Sequence, residues 1–194
     1  MHSDPANSGL HGSRKFQSGN LILVGMMGSG KTTIGRTLAK HLGKTFVDSD
    51  EEIQLRTGVT IPHIFDVEGE AGFRLRERAA IRELVGRNNI VLATGGGAIL
   101  AEQNRDMLRQ NGIVVYLKAN VHDLWQRTRH DRNRPLLQTD DPRAKLAELF
   151  EQRDPLYMQA ADIVVQSGKQ SVQTLLSQLV EEIERFRSID RINE

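Results

Sequence analysis

The sequence of 194 residues has no cysteine and only one tryptophan. The lack of cysteine excludes disulfides and thiolate metal sites, and it is compatible with a reducing cytoplasm. No apolar run approaches the length that spans a bilayer. Neither sign of charge predominates, because the 26 Lys and Arg residues nearly balance the 25 Asp and Glu residues. We therefore expect neither nucleic acid nor membrane as a partner. We further expect a monomer in the cytoplasm.

The first eighteen residues, MHSDPANSGLHGSRKFQS, are polar and lack the apolar stretch of a secretory signal. We interpret residues 1–18 as a flexible arm. The remaining residues, 19–194, fit the size of a single domain.

Short apolar runs alternate along this domain with longer stretches of helical period. Strands are predicted at 21–25, 45–48, 89–94, 112–117 and 162–166, and helices at 31–42, 61–85, 102–110, 121–127 and 171–187. Such alternation implies parallel strands with helices covering both faces. We predict an α/β, three-layer sandwich around a five-stranded parallel sheet.

One segment, residues 127–141 (RTRHDRNRPLLQTDD), differs from the rest in being almost entirely charged or polar. Pro135 interrupts any helix there. We expect an exposed, mobile excursion from the packed body.

The motif Gly25-x-x-x-x-Gly30-Lys31-Thr32 lies between a predicted strand and a predicted helix. Its glycines let backbone N–H groups converge on an anion, and the helix N-terminus adds partial positive charge. Lys31 is then expected to reach the terminal phosphates, and the Thr32 hydroxyl to bind magnesium. An ordinary glycine-rich turn is the alternative, which this placement disfavours. The motif predicts binding of a nucleoside triphosphate, and the absence of an Asn-Lys-x-Asp segment argues against a GTPase.

Two carboxylates, Asp48 and Asp50, follow the second predicted strand. Alternation along an extended backbone would point both the same way, towards the ligand-binding edge of the sheet. There they can hold the hydration shell of magnesium and accept a hydrogen bond from a hydroxyl nucleophile. The alternative is that Ser49 or Asp50 caps a helix beginning at Glu51.

Three consecutive glycines, residues 95–97, end the third predicted strand, although a turn needs only one or two. We interpret them as a surface where a substrate lies against bare backbone. Arg134 and Arg153 are candidates for stabilising a transferring phosphoryl group or binding an acceptor carboxylate. The residue types alone leave open which arginine does which.

Together these motifs resemble those of the shikimate kinase family, over roughly residues 21–178. The matching pieces stand in family order: GMMGSGKTTIGR, FVDSDEEIQLRTG, IFDVEGEAGFRLRE, VLATGGGAI, VVYLKA, RPLL, RDPLY and ADIVV. The resemblance implies a nucleoside-monophosphate-kinase-like P-loop fold with a mobile lid. It also implies transfer of the γ-phosphate of ATP to the 3-hydroxyl of shikimate, with Mg²⁺.

Site roles follow from the resemblance, residue by residue. ATP is expected to contact Gly28, Ser29, Gly30, Lys31, Thr32, Thr33, Arg127, Arg134 and Gln170. Shikimate is expected to contact Asp50, Arg74, Gly95, Gly96, Gly97 and Arg153. The expected catalytic residues are Lys31, Asp50 and Arg134, and magnesium is expected on Thr32 and, through water, on Asp48. Alternatives are a related kinase acting on another acceptor, such as gluconate, and a non-catalytic nucleotide-binding module.

Overall fold

The structure, a computed structural model, describes residues 18–131 and 133–193. It contains a five-stranded parallel sheet of order β2-β3-β1-β4-β5. The strands are β1 Leu21–Val24, β2 Thr45–Asp48, β3 Ile90–Ala93, β4 Ile113–Lys118 and β5 Ile163–Gln166. The helices are α1 Lys31–Leu42, α2 Ser49–Thr57, α3 Ile61–Leu84, α4 Glu102–Asn111, α5 Val121–Thr128, α6 Pro142–Ala160 and α7 Val172–Asn193. The predicted fold class and all five predicted strands are confirmed.

Burial along the strands follows their place in the sheet. The inner strands β1 and β3 are buried at every position, whereas the edge strand β5 alternates between buried and exposed residues. The register pairs Leu23 of β1 with Ala93 of β3 and with Val115 of β4. The carboxyl ends of these strands therefore meet at one edge, where ligands of such sheets gather.

Apolar side chains form separate cores on the two faces of the sheet. One face packs against α3, α4, α5 and α6, and the other against α1 and α7. A third, smaller cluster joins α2 to α3 through Ile53, Ile64, Phe73 and Ala80. This small cluster fixes two helices that carry candidate site residues.

The sequence patterns missed the full extent of α2 and all of α6. The buried positions of α6 are Leu146, Leu149, Arg153, Tyr157 and Ala160. Their spacing is helical, but an arginine and a tyrosine stand where a core helix usually has apolar residues. Pro155 lies inside α6 and further obscures the pattern.

The polar segment 127–141 is not wholly outside the packed body. Thr128 ends α5 and is 4% exposed, and Leu137 is 7% exposed and packs in the core. The expectation of an exposed excursion is therefore wrong for these two residues. Residue 132 lies outside the described residues.

The predicted arm lies outside the described residues, except for Ser18. The Ser18 hydroxyl donates to the Asn111 carbonyl at 2.9 Å, and the Ser18 carbonyl accepts from the Asn89 N–H at 2.8 Å. Over residues 18–131 and 133–193, no helix is long and apolar enough to cross a membrane.

Candidate active site

The predicted phosphate-binding loop connects β1 to α1. Gly25, Gly28 and Gly30 all have positive φ, of 147°, 79° and 93°. A Cβ on Gly28 would also lie 2.7 Å from the Thr128 methyl group. These positions therefore require glycine, and the loop curls as the sequence motif predicted.

The Lys31 ammonium group forms hydrogen bonds with the backbone of this loop. It donates to the carbonyls of Gly25 and Met26, at 2.8 and 2.9 Å. Burial lowers the pKa of Lys31 to about 8, although the neighbouring carboxylate of Asp50 raises it. A buried cation held this way gains stabilisation from any anion that enters the loop.

The Thr32 hydroxyl donates to Asp48 Oδ2 at 2.9 Å. The other oxygen, Asp48 Oδ1, accepts from the Asp50 N–H at 2.9 Å and caps α2. The helix cap is therefore Asp48 and not Ser49 or Asp50. Asp50 lies in the first turn of α2, so strand alternation is not the reason that both carboxylates face the loop.

A cavity of about 310 Å³ opens over the loop. Seven of the nine residues expected to contact ATP line it: Gly28, Gly30, Lys31, Thr32, Thr33, Arg127 and Arg134. Asp48 and Asp50 lie on its wall, together with Met27, Thr94 and Gly96. We call it the phosphate cavity.

The other two expected ATP contacts, Ser29 and Gln170, are not among the residues lining the phosphate cavity. The Ser29 side chain is buried, and its hydroxyl accepts from Lys31 at 3.4 Å. The Gln170 amide donates to the Gln166 carbonyl at 2.8 Å.

Arg127 joins the phosphate-binding loop to the loop after β5. Its guanidinium donates to the Gly28 carbonyl at 3.1 Å and to the Gly168 carbonyl at 2.5 Å. Beside it, the buried Ser167 hydroxyl donates to the Ser29 carbonyl at 2.5 Å. The two loops are thus held together by side-chain to backbone bonds.

A second cavity adjoins the phosphate cavity, and we call it the acceptor cavity. All six residues expected to contact shikimate line it: Asp50, Arg74, Gly95, Gly96, Gly97 and Arg153. Sequence reasoning did not assign Glu77 or the apolar wall of Ile61, Phe65, Phe73, Pro135 and Leu136. Met27, Asp50, Gly96 and Arg134 line both cavities.

Besides Arg134, two arginines bring positive charge to the acceptor cavity. Arg153 is only 2% exposed, and its Nε and Nη1 have no hydrogen-bond partner among the described residues. Arg74 pairs with Glu77 at 2.9 Å and with Glu70 at 2.7 Å. A buried guanidinium with unused donors is a binding site for a carboxylate.

None of the three glycines has positive φ, so the backbone conformation does not require glycine here. Glycine is needed because a side chain would have no space. A Cβ on Gly95 would lie 2.6 Å from Asp50 Oδ1, and one on Gly97 would collide with the Arg74 guanidinium. A Cβ on Gly96 would lie 3.3 Å from the Met27 N–H nitrogen. The bare backbone therefore lets Asp50 and Arg74 approach it closely, whereas contact of a substrate with this backbone stays a prediction.

Two carboxyl groups in the acceptor cavity have raised pKa values. Burial, and then the charge of Asp48, raises the pKa of Asp50 to about 6. Burial raises the pKa of Glu77 to about 7, although Arg74 opposes the rise. With a pKa of about 6, most Asp50 side chains are ionised at pH 7 and can accept a proton.

Tyr157 of α6 contacts the backbone of the glycine segment 95–97. Its hydroxyl donates to the Gly96 carbonyl at 2.5 Å, and its ring stacks on Tyr116 with 4.8 Å between centroids. The Tyr116 hydroxyl in turn donates to Asp154 at 2.7 Å. No role was predicted for Tyr157 from the sequence, since only the fold brings it to Gly96.

Comparison with known proteins identifies the family. A family model described as shikimate kinase matches residues 27–184. The chain belongs to the shikimate kinase family. The shikimate kinase of Nitrosospira multiformis is 61% identical over 166 residues, which cover 86% of this chain and 85% of the relative. The shikimate kinase of Burkholderia lata is 58% identical over 165 residues, covering 85% of this chain and 90% of the relative.

Solved structures agree with this assignment. The shikimate kinase of Acinetobacter baumannii in complex with shikimate has a TM-score of 0.84 and 49% identity, and the match covers 86% of this chain and 93% of that one. A sugar kinase from a Janibacter species, at 17% identity and a TM-score of 0.55, shares the fold alone. The family and the enzyme class, an ATP-dependent kinase, are those predicted from the motifs.

Proposed function

We propose that this chain transfers the γ-phosphate of ATP to the 3-hydroxyl of shikimate, giving shikimate 3-phosphate. One observation carries the proposal. Two arginines and Asp50 converge in a cavity that shares a wall with the phosphate-binding loop. The acceptor proposed has a carboxylate for the arginines and hydroxyls for the aspartate, and it matches the family of the chain.

On the nucleotide side, the loop from Gly28 to Thr33 holds the phosphates of ATP. Lys31 stabilises charge on the terminal phosphates, and Arg127 lies against adenine. Ser29 contributes through its backbone, since its side chain is buried. Gln170 makes its contact from the loop after β5.

The Thr32 hydroxyl and the Asp48 carboxylate are hard oxygen donors, 2.9 Å apart, at the edge of the phosphate cavity. Such donors fit Mg²⁺, which binds few protein oxygens and retains several waters. We propose that Thr32 binds the ion directly and Asp48 through water. When bound, the ion neutralises charge on the transferring phosphate.

On the acceptor side, Arg74 and Arg153 hold the carboxylate of shikimate, and residues 95–97 form the surface beneath it. Asp50 holds the ring hydroxyls and orients the nucleophile. The hydroxyl oxygen forms a bond to the γ-phosphorus while the bond to the β-phosphate oxygen breaks, and Asp50 accepts the released proton. Arg134 lines both cavities and stabilises the charge that spreads over the phosphoryl oxygens.

The proposal includes a monomeric enzyme in the cytoplasm. It also includes a lid over the nucleotide, formed by residues 127–141. Closure of the lid excludes water from the transferring phosphate.

ADP release tests the proposed function. We expect ADP formation only with shikimate, across a panel of shikimate, quinate, gluconate and nucleoside monophosphates. Lys31→Ala and Arg134→Ala should each lower kcat by about 10²-fold, as for lost transition-state stabilisers. ADP formation that is independent of shikimate would contradict the proposal, and near-normal turnover would remove the role of either residue.

A further inference from the structure

Glu77 of α3 is a buried carboxylate to which the phosphoryl transfer assigns no part. It is 1% exposed, and its Oε2 accepts from Arg74 at 2.9 Å. Its other oxygen, Oε1, is buried without a hydrogen-bond partner among the described residues. Asp50 Oδ1 is likewise buried without a hydrogen-bond partner among these residues. An unsatisfied carboxylate oxygen in a buried site favours the protonated form of the group.

The two unsatisfied oxygens both lie close to Gly95. A Cβ on that residue would be 2.6 Å from Asp50 Oδ1 and 2.9 Å from Glu77 Oε1. The acceptor cavity therefore contains two carboxylates close together and three guanidinium groups, of Arg74, Arg134 and Arg153. Asp50 and Arg134 also line the phosphate cavity, so Glu77, Arg74 and Arg153 are the charged groups that line the acceptor cavity alone.

A substrate carboxylate that binds Arg74 and Arg153 competes with Glu77, because Arg74 is already paired with Glu77. It also places a negative charge next to a buried carboxylate whose second oxygen has no partner among the described residues. A like charge nearby raises the pKa of a buried carboxyl group, and protonation removes the repulsion. We propose that Glu77 takes up a proton when a carboxylate-bearing acceptor binds between Arg74 and Arg153.

The groups around Glu77 explain why it, rather than Asp50, takes the proton. From its own helix Glu77 faces Arg74, with Glu70 beyond; from α2 it faces Asp50; and from α6 it faces Arg153 and Tyr157. Asp50 also has the charges of Lys31 and Arg134 near it, which stabilise its ionised form. The pKa of Glu77, raised to about 7 by burial, lies nearer to protonation at neutral pH. Proton uptake at Glu77 thus leaves Asp50 ionised for the reaction.

Proton uptake makes acceptor affinity depend on pH with a definite sign. A ligand that binds together with a proton loses affinity as the pH rises. The carboxylate of the acceptor is ionised throughout the neutral range, so it does not contribute. We expect Kd for shikimate, without nucleotide, to rise about tenfold from pH 6.5 to pH 8.5, as linkage to one group requires when its pKa lies near 7 and rises on binding.

The test is calorimetric titration of shikimate into the full chain near neutral pH, in several buffers of different protonation enthalpy. Phosphate is avoided because it can occupy the phosphate-binding loop. The slope of the observed enthalpy against the buffer enthalpy counts protons. We expect about half a proton or more taken up per shikimate in the wild-type chain. Glu77→Gln, which keeps the shape and removes the titration, should take up none and bind with a Kd that does not change with pH.

Glu70→Gln is the matched control. Glu70 pairs with the same arginine at 2.7 Å, but its side chain is 47% exposed, so we expect proton uptake to persist in this variant. A slope of zero in the wild-type chain, or an undiminished slope in Glu77→Gln, would overturn the inference. If Glu77→Gln does not fold, Asp50→Asn decides the question, because it removes the other buried carboxylate of the cavity and should leave the proton uptake unchanged; loss of the uptake in that variant would overturn the assignment to Glu77. The inference rests on the proposed function, and failure of that function would show itself differently, as shikimate that does not bind at all.

Discussion

The glycine at position 95 offers the sharpest test of the site geometry. Its backbone is not in the left-handed region, so alanine is sterically permitted by the main chain. The added methyl group, however, would lie 2.6 Å from Asp50 Oδ1 and 2.9 Å from Glu77 Oε1, where ordinary contact begins at 3.4 Å. In Gly95→Ala, Asp50 must therefore move while the fold and the phosphate-binding loop remain.

The size of the effect follows from that displacement. Asp50 Oδ1 has to retreat by about 0.8 Å, and a misplacement of about 1 Å in a reacting group costs about 10²-fold in rate. That factor corresponds to about 2.7 kcal/mol of activation free energy. We expect kcat to fall by about 30-fold to 100-fold, with KM for ATP changed by less than about threefold, because nucleotide contacts are untouched.

Steady-state kinetics with both substrates varied measures kcat and both KM values of Gly95→Ala. Thermal unfolding confirms that the variant is folded. Gly97→Ala is the matched control, because its methyl group meets the Arg74 guanidinium instead of Asp50. That variant should raise KM for shikimate and leave kcat closer to wild type. A folded Gly95→Ala enzyme with kcat within about threefold of wild type would refute the proposed role of Asp50 geometry.

Three further predictions concern neighbouring groups. Arg153→Lys should chiefly raise KM for shikimate, by about tenfold, because lysine cannot form a bidentate pair; an unchanged KM would remove Arg153 from the acceptor site. Tyr157→Phe deletes the hydrogen bond to Gly96, worth about 1 kcal/mol, and should raise KM for shikimate about fivefold. A variant with a lower unfolding temperature and an unchanged KM would show that the tyrosine has a purely structural role. A plot of log kcat against pH should decline with a slope near one below about pH 6, since burial raises the pKa of Asp50 to about 6 and the protonated acid cannot accept a proton; kcat constant down to pH 5 would exclude Asp50 as the base.

The strands and the phosphate-binding loop were predictable because local sequence determines them. Buried parallel strands appear as uncharged runs, and the loop combines positive-φ glycines with one lysine at fixed spacing. Helix α6 was not predictable in this way. Arg153 and Tyr157 lie on its buried face because they serve a cavity, so the helix lacks a continuous apolar stripe.

The acceptor side was predictable only in part, for a related reason. Arg74 was chosen among its neighbours by family resemblance, whereas Glu77, one turn along the same helix, was not noticed. Nothing local marks a glutamate as buried; its burial depends on Gly95 and Arg153, which lie distant in the chain and meet it only in the fold. Asp50 lines both cavities, as its place in the sequence predicted, but it reaches them from the first turn of α2 and not through strand alternation.

In the proposed function Arg127 lies against adenine, and its bonds to Gly28 and Gly168 then couple the site of the base to the phosphate-binding loop. A substitution in the loop after β5 that changes preference among nucleobases would also shift the backbone that binds phosphate. Under the proposal we therefore expect nucleotide selectivity and the geometry of the phosphate site to change together. An engineered change from adenine to guanine would have to preserve that arginine, or replace both of its backbone contacts.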